Sequence, residues 1–472
     1  MNCGCRLSNP KETWMARQIS PTSLCPGTAS RRGFLHAGIS AVGGLGLASL
    51  LQRESAARAA GHPLQSPKSM IVLWLWGGPS HMETFDLKPD APLEYRGEFR
   101  PIPTNVPGIE ISEHLPRLAG LADQFSLIRS ISHDSPGHVN STHTLVTAYP
   151  GELIENVPYA PKHPDLWSVV HKFLGPRRVG LPAHVALNHV RYFGSAYLGS
   201  GLEPFNVGAD PNSPKFKVPS LGMHPALSAD RVSNRVDLLK EFDDYRRDLD
   251  RSRLMDTMDE FQQKAVDVLV SSHARDAFDL SQETPELRDA YGRHQVGQQC
   301  LLARRLVEAG VRLVTIDFPY VPGQKAKSWD DHASVWNIFT EMKARLPVVD
   351  QVVSTLIHDL RQRGLDRDVL LLVMGEMSHT PRLSNFQGQP GREHWGQTMS
   401  AFLSCGGLRM GQVIGSTNSK GDEVVDRPLA PNDFLATCYR YFGIPLDTQF
   451  TDFGGRPTPM VPEGAPIHEL FA

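Results

Sequence analysis

An apolar run from Met70 to Trp76 (MIVLWLW), cut off by Gly77-Gly78-Pro79, constrains this chain more than any other feature. A run without polar alternation reads as a strand buried on both faces, and the glycine pair with proline marks its end. Such a strand has no solvent face, so helices must cover it above and below. Further buried-strand candidates are Ser126 to Ile131, His184 to Leu187, Val311 to Phe318 (VRLVTIDF), Asp368 to Met374 (DVLLLVM) and Thr398 to Ser404. Helical patterning covers Leu115 to Ala122, Pro285 to Ala309, Val335 to Arg363 and Pro431 to Phe442. Because Val335 to Arg363 lies between two of the strands, that unit reads strand, helix, strand. The expected fold is therefore α/β, a mostly parallel central sheet with helices on both faces. Two segments stand apart. Pro150 to Pro225 is rich in Pro, Gly and Asn and reads as a loop-rich insertion over the surface. Asp237 to His273 is charged and helical, with Leu238, Phe242, Tyr245, Leu249 and Leu254 at helical spacing.

Ahead of the first strand, Ser30-Arg31-Arg32-Gly33-Phe34-Leu35 precedes a stretch from Ala37 to Leu51 that has no charged residue. That order is the n-region and h-region of a twin-arginine signal. The apolar stretch is shorter than the ~20 residues a permanent bilayer span needs. Ala57-Arg58-Ala59-Ala60 supplies the small residues of a cleavage site. The expectation is a signal over residues 1–60, recognition by the twin-arginine export machinery, and a mature domain over 61–472 working in the periplasm or outside the cell. This route carries folded cargo, which suits a protein that takes up a cofactor before export. The remaining ~410 residues can bury a large core. A net charge of −3 excludes a strongly basic nucleic-acid binder, and no other segment reads as a membrane span. Cys300, Cys405 and Cys438 would remain after cleavage; lacking zinc-type spacing, they read as buried thiols with no disulfide.

Open α/β sheets place ligands at the carboxyl ends of their strands, so the residues behind each strand carry the functional reading. Behind Met70 to Trp76 stand His81, Glu83 and Asp86; behind Ser126 to Ile131 stand His133, Ser135, His138, Ser141 and His143. The loop after Val311 to Phe318 holds Trp329-Asp330-Asp331-His332. Behind Asp368 to Met374 come Gly375-Glu376-Met377-Ser378-His379-Thr380-Pro381-Arg382 and then Gly391-Arg392-Glu393-His394-Trp395. Taken singly, Glu376 also suits a turn cap and His394 a packed histidine. Together these carboxylates and imidazoles form a donor set for a divalent ion such as zinc or manganese.

The runs GGPSHMETFDLKP, LPRLAGLADQFSLIRSISHDSPGH, WDDH, GEMSHTPR, GREHW and GQVIGSTNSKGDEVVDRPLAPNDFLATCYRYFGI resemble the exported proteins gathered as domain of unknown function family 1501. That family is similar in turn to the alkaline phosphatase and sulfatase superfamily. The resemblance implies an alkaline-phosphatase-like fold and a metal-dependent hydrolase of phosphate or sulfate esters, acting on a small anionic ester. An exported, metal-stabilised binding or scaffold protein of the same fold is the alternative. Carried over, Asp330, His332, Glu376 and His394 are the implied metal ligands, with His81 and Asp86 as further candidates. Zinc is the first choice of ion, with manganese or calcium next. Counting back from Leu145-Val146-Thr147-Ala148, the nucleophile position falls near His138, with Ser135, Ser141 and Thr142 adjacent, and histidine itself can attack phosphorus. Arg129 and Arg392 are candidate anion clamps. The family motif GEFGRTP appears here as GEMSHTP, so His379 stands where the family has an arginine that would hold an anion.

Overall fold

The computed structural model describes residues 66–153, 159–188, 191–218, 221, 267–268, 271–318, 321 and 323–471. The twin-arginine run and nearly all of the charged segment 237–273 lie outside the described residues.

The strand expected at Met70 forms as β1 (Ser69–Trp74) and lies inside an eight-stranded sheet. The others are β2 (Phe125–Ile131), β3 (His184–Leu187), β4 (Phe205–Val207), β5 (Leu313–Asp317), β6 (Val369–Met374), β7 (Met399–Cys405) and β8 (Gln412–Ile414), in the spatial order β8-β2-β7-β6-β1-β5-β3-β4. Every pairing is parallel except those of β7, which runs antiparallel to both β2 and β6. The sheet is thus large, mixed and mostly parallel. In the centre, Trp74 is in register with both Asp317 and Met374, so β1, β5 and β6 end level with one another.

Side-chain alternation along β1 divides the core. Ile71, Leu73 and Leu75 face one apolar cluster, which includes Val296, Cys300 and Leu306 of α4 (Gln295–Ala309) and Met342, Leu346 and Val353 of α5 (Ile338–Gln362). Met70, Val72, Trp74 and Trp76 face another, with Leu145 of α1 (His138–Thr147), Trp167 and Val170 of α2 (Leu166–Leu174) and Phe434 and Cys438 of α6 (Pro431–Phe442). Each such side chain, buried fully, contributes about 1.5–3 kcal/mol relative to exposure. The long α5 begins at Asn337, whose side chain accepts from the amides of Phe339 and Thr340 at 2.9 and 3.2 Å, and it carries the chain over β1 from β5 to β6. Cys300, Cys405 and Cys438 are buried free thiols.

Three expectations are corrected. The helix expected over Pro285 to Ala309 is two, α3 (Pro285–Tyr291) and α4, because Gly292 takes φ 93° and His294 then caps α4 by accepting from the Gly297 amide. The helix at Leu115 shrinks to Pro116–Ala119, followed by a short 3-10 turn at Ala122–Gln124. Pro150 to Pro225 is more than a surface insertion, since it supplies α2 and both strands of one sheet edge, β3 and β4. No helix among the described residues is long and apolar enough to cross a membrane.

Candidate metal centre

The carboxyl edge is shaped first by the end of β1. Gly77 and Gly78 take φ of 101° and 87°, and a Cβ at either would meet backbone: Asp330 N at 2.5 Å from position 77, Met377 O at 2.6 Å from position 78. The two glycines therefore let the loop after β5 and the loop after β6 close onto the same turn. Backbone and side-chain bonds fix that closure, from Trp329 N to Trp76 O at 2.7 Å and from Gly77 N to Glu376 Oε1 at 2.8 Å.

The loops meet at Asp330. Its Oδ1 lies 2.8 Å from His332 Nε2, 3.1 Å from His394 Nε2 and 3.6 Å from His379 Nε2, while Oδ2 lies 3.3 Å from His138 Nε2. The His332 and His394 Nε2 atoms are themselves 3.0 Å apart. Burial disfavours the Asp330 charge, yet the four surrounding imidazoles hold its carboxyl far below the usual carboxylate range. His138 opens α1 and bridges two carboxylates, with Nδ1 2.9 Å from Glu376 Oε1. Burial works against its protonation, but the bonds to Asp330 and Glu376 raise its pKa to about 10. His379 is fully buried, which pushes it down to about 4.

Topology explains how His394 arrives. Because β7 is antiparallel, the chain enters it from the carboxyl edge, and the two residues of a small ribbon, His394 and Trp395, pair there with His379 and Ser378. Two buried ion pairs brace the loops. Arg345 of α5 binds the Asp331 carboxylate and donates to Ser328 O at 2.7 Å, which sets the Asp330 loop. Arg392 donates to Glu83 Oε1 and Oε2 at 2.6 and 2.9 Å and to the carbonyls of Thr380, Pro381 and Tyr95, which sets the ribbon.

Of the residues singled out in the sequence, the structure brings Asp330, His332, His394, Glu376, His379 and His138 together and places the others elsewhere. His81 is committed to Ser378 Oγ at 2.7 Å and to Gly421 O at 2.9 Å. Asp86 pairs with Lys88 at 2.9 Å and with Arg129 at 3.7 Å, and Arg129 also donates to Glu110 O. Arg129 and Arg392 are thus engaged in fixing the fold and present no free clamp for an anion. The Ser135 hydroxyl bonds Thr144 Oγ1 at 2.8 Å, and the buried Ser141 hydroxyl donates to Ser135 O at 2.9 Å. Thr142 Oγ1 is buried without a hydrogen-bond partner among the described residues. Glu83, a candidate behind the first strand, instead neutralises Arg392. Two contributors were not singled out in the sequence. Glu393 hydrogen-bonds His332 Nδ1, and its neighbour His394 was the available signal. Asp317 ends β5 level with Trp74, and burial raises its carboxyl to about 7; a carboxylate closing an apolar strand was visible in VRLVTIDF.

The residues fit a divalent ion. His332 Nδ1 is engaged by the Glu393 carboxylate and His394 Nδ1 by Pro136 O at 3.0 Å, the outer partners that turn Nε2 of a metal-binding imidazole inward. Asp330 and His394 are common to two overlapping triads, completed by His332 on the Oδ1 side and by His138 on the Oδ2 side. Donors held 2.0–2.2 Å from a tetrahedral zinc ion lie about 3.3–3.6 Å apart, close to these separations.

The family profile described as Protein of unknown function (DUF1501) matches residues 67–471. No curated protein sequence matches the chain. Solved structures similar to it include the PsFucS1 sulfatase from Pseudoalteromonas sp. (10% identity, 84% of this chain and 70% of that one, TM-score 0.37). They also include a phosphonate monoester hydrolase of Agrobacterium radiobacter (11%, 85% and 77%, TM-score 0.35). A third is an alkaline phosphatase superfamily protein from Vibrio parahaemolyticus (10%, 80% and 67%, TM-score 0.34).

Proposed function

The chain belongs to the DUF1501 family of proteins of unknown function, and we propose that this member is an exported, metal-dependent hydrolase of phosphate or sulfate esters, with zinc as its ion. The observation that carries the reading is the meeting of His332 Nε2, His394 Nε2 and Asp330 Oδ1 at 2.8–3.1 Å. In the tautomers whose Nδ1–H groups donate to the outer acceptors, neutral rings would turn only lone pairs toward each other and toward the carboxylate. That arrangement calls for a cation among the three atoms, and the reading assigns it to a divalent metal ion in place of shared protons. Export rests on the Arg31-Arg32 signal pattern.

A bound divalent ion would supply charge stabilisation for the ester oxygens in the transition state. His138 and Glu376 would supply the proton chemistry. Glu376 Oε1 holds the His138 Nδ1 proton at 2.9 Å, which leaves the Nε2 proton to be given to a departing ester oxygen while Glu376 steadies the ring's charge. The N-terminal end of α1, where His138 sits, adds a favourable field for an anion. Since the Ser135 and Ser141 hydroxyls are both engaged away from the cluster, attack is assigned to water rather than to either serine.

The test combines elemental analysis of the purified mature protein with turnover of aryl phosphates and aryl sulfates. Stoichiometric zinc with turnover of one ester class, lost in H138A, is expected. Zinc without turnover of either class would give the site to the metal-stabilised binding protein instead, and a metal-free protein that takes up no zinc would remove both readings.

A further inference from the structure

His379 stands where the family resemblance implies an anion-holding arginine, and its surroundings are unlike those of an anion-binding side chain. It is fully buried, and neither ring nitrogen has a hydrogen-bond partner among the described residues. The three other imidazoles around Asp330 all have Nδ1 engaged, by Glu393, Pro136 O or Glu376. The nearest charged atom to His379 Nε2 is Asp330 Oδ1 at 3.6 Å, the same oxygen that meets His332 and His394. Its orientation is imposed by the backbone. His379 and His394 are directly opposed in an antiparallel ribbon, so their side chains leave the same face and reach the same point. The bond from Thr380 N to Glu393 O at 2.7 Å locks that register. The His379 ring centroid lies 6.2 Å from that of His332 and 6.3 Å from that of His394, so the three rings surround Oδ1 rather than stack on one another.

We propose that His379 is a direct ligand of the ion held at Asp330, completing a set of three imidazoles and one carboxylate through His332, His394, His379 and Asp330. This assignment rests on the metal reading above and deepens it. A separation of 3.6 Å between Nε2 and Oδ1 is within what two donors show across a tetrahedral zinc ion, about 3.3–3.6 Å. Three nitrogens and one oxygen from the protein suit zinc over calcium, which takes six to eight oxygens. The set also fills four positions from the protein alone, so an ester oxygen would have to enter as a fifth donor. His379 would then select the metal and shape entry, and would not touch the substrate.

The experiment uses the mature chain loaded with zinc or with cobalt(II) as an optical probe. X-ray absorption at the zinc edge of the wild-type protein should count three imidazoles. H379F keeps ring volume without a donor and should weaken zinc binding by more than the roughly 10–100-fold that loss of an outer-shell partner costs. H379C loaded with cobalt(II) should show a sulfur-to-cobalt charge-transfer band that the wild type lacks. Two imidazoles in the wild-type spectrum, unchanged zinc affinity in H379F, or no such band in cobalt-loaded H379C would each overturn the assignment while leaving the site at Asp330, His332 and His394 intact. Failure of the wild-type protein to bind either ion would remove this assignment together with the proposed function.

Discussion

Around Asp330 the positions of individual side chains depend on charges buried some distance from the site. Arg392 is fully buried and pairs with an equally buried Glu83, and the chain runs directly from Arg392 through Glu393 to His394. Removing either member leaves the other as an uncompensated charge in the interior, which typically costs about 3–5 kcal/mol. E83A and R392A should each lower unfolding stability in urea by about that amount, and the double variant should cost clearly less than their sum because one loss already removes the pairing. Simple additivity in that cycle would show that the two side chains do not act as a unit. The same pair shows where residue-level reading of the sequence stops. Arg392 and Arg129 present themselves as free cations because sequence displays a charge and not its partner, and Glu83 lies 309 positions from Arg392. Asp330, His332, Glu376, His379 and His394 could be singled out because each follows a recognisable strand or stands beside one of the family motifs. Their contact geometry could not be read, since it is set by Gly77 and Gly78 meeting two distant loops.

At the scale of elements, continuous apolar runs identified β1, β5 and β6 because both faces of those strands are buried. Pairing direction carries no such signature. The antiparallel course of β7 emerges only from the folded sheet, although it is what delivers His394 to the carboxyl edge. At the sheet edge, β3 was legible as the run His184 to Leu187, whereas β4 was obscured because it is only three residues long and set between Pro204 and Gly208. One residue ties the loop between β3 and β4 to the start of α2. Asp165 caps α2 by accepting from Ser168 N at 2.7 Å and also accepts from Gly194 N at 2.8 Å. D165A would orphan two buried amides, at about 1–3 kcal/mol each, and should lower stability by about 2–4 kcal/mol. Burial raises the Asp165 carboxyl to about 7, above the model-peptide value near 3.9. The folded state therefore keeps a proton that the unfolded chain has released, and this contribution to stability is full below about pH 4 and is lost as pH rises through about 7. D165N keeps one acceptor and cannot ionise, so its cost relative to wild type should be smaller than that of D165A and should shrink from pH 5 to pH 8 in thermal melts. A cost that grows over that range would contradict the assignment of burial as the dominant influence on Asp165.

Across the whole molecule, the candidate centre draws on five stretches of chain that are distant in sequence. They are the turn after β1, the start of α1, the loop after β5, the segment after β6 and the ribbon that leads into β7. Nothing but the folded sheet brings these together, so an ion bound there is bound by the native state alone and its binding energy adds to folding. For a ligand at about a thousand times its Kd the added stability is about 4.1 kcal/mol. Treatment with a chelator should accordingly lower Tm by several degrees, and zinc in excess should restore it. Hydrogen exchange should locate the effect, with zinc-dependent protection in the loops of the carboxyl edge and none along β3 and β4. In D330A the response to zinc should vanish. H394A added to D330A should cost little more, because a site that has lost its central carboxylate has little left to lose. A Tm that ignores both chelator and zinc in the wild-type protein would mean that the four imidazoles around Asp330 hold one another through shared protons, with no part for an ion.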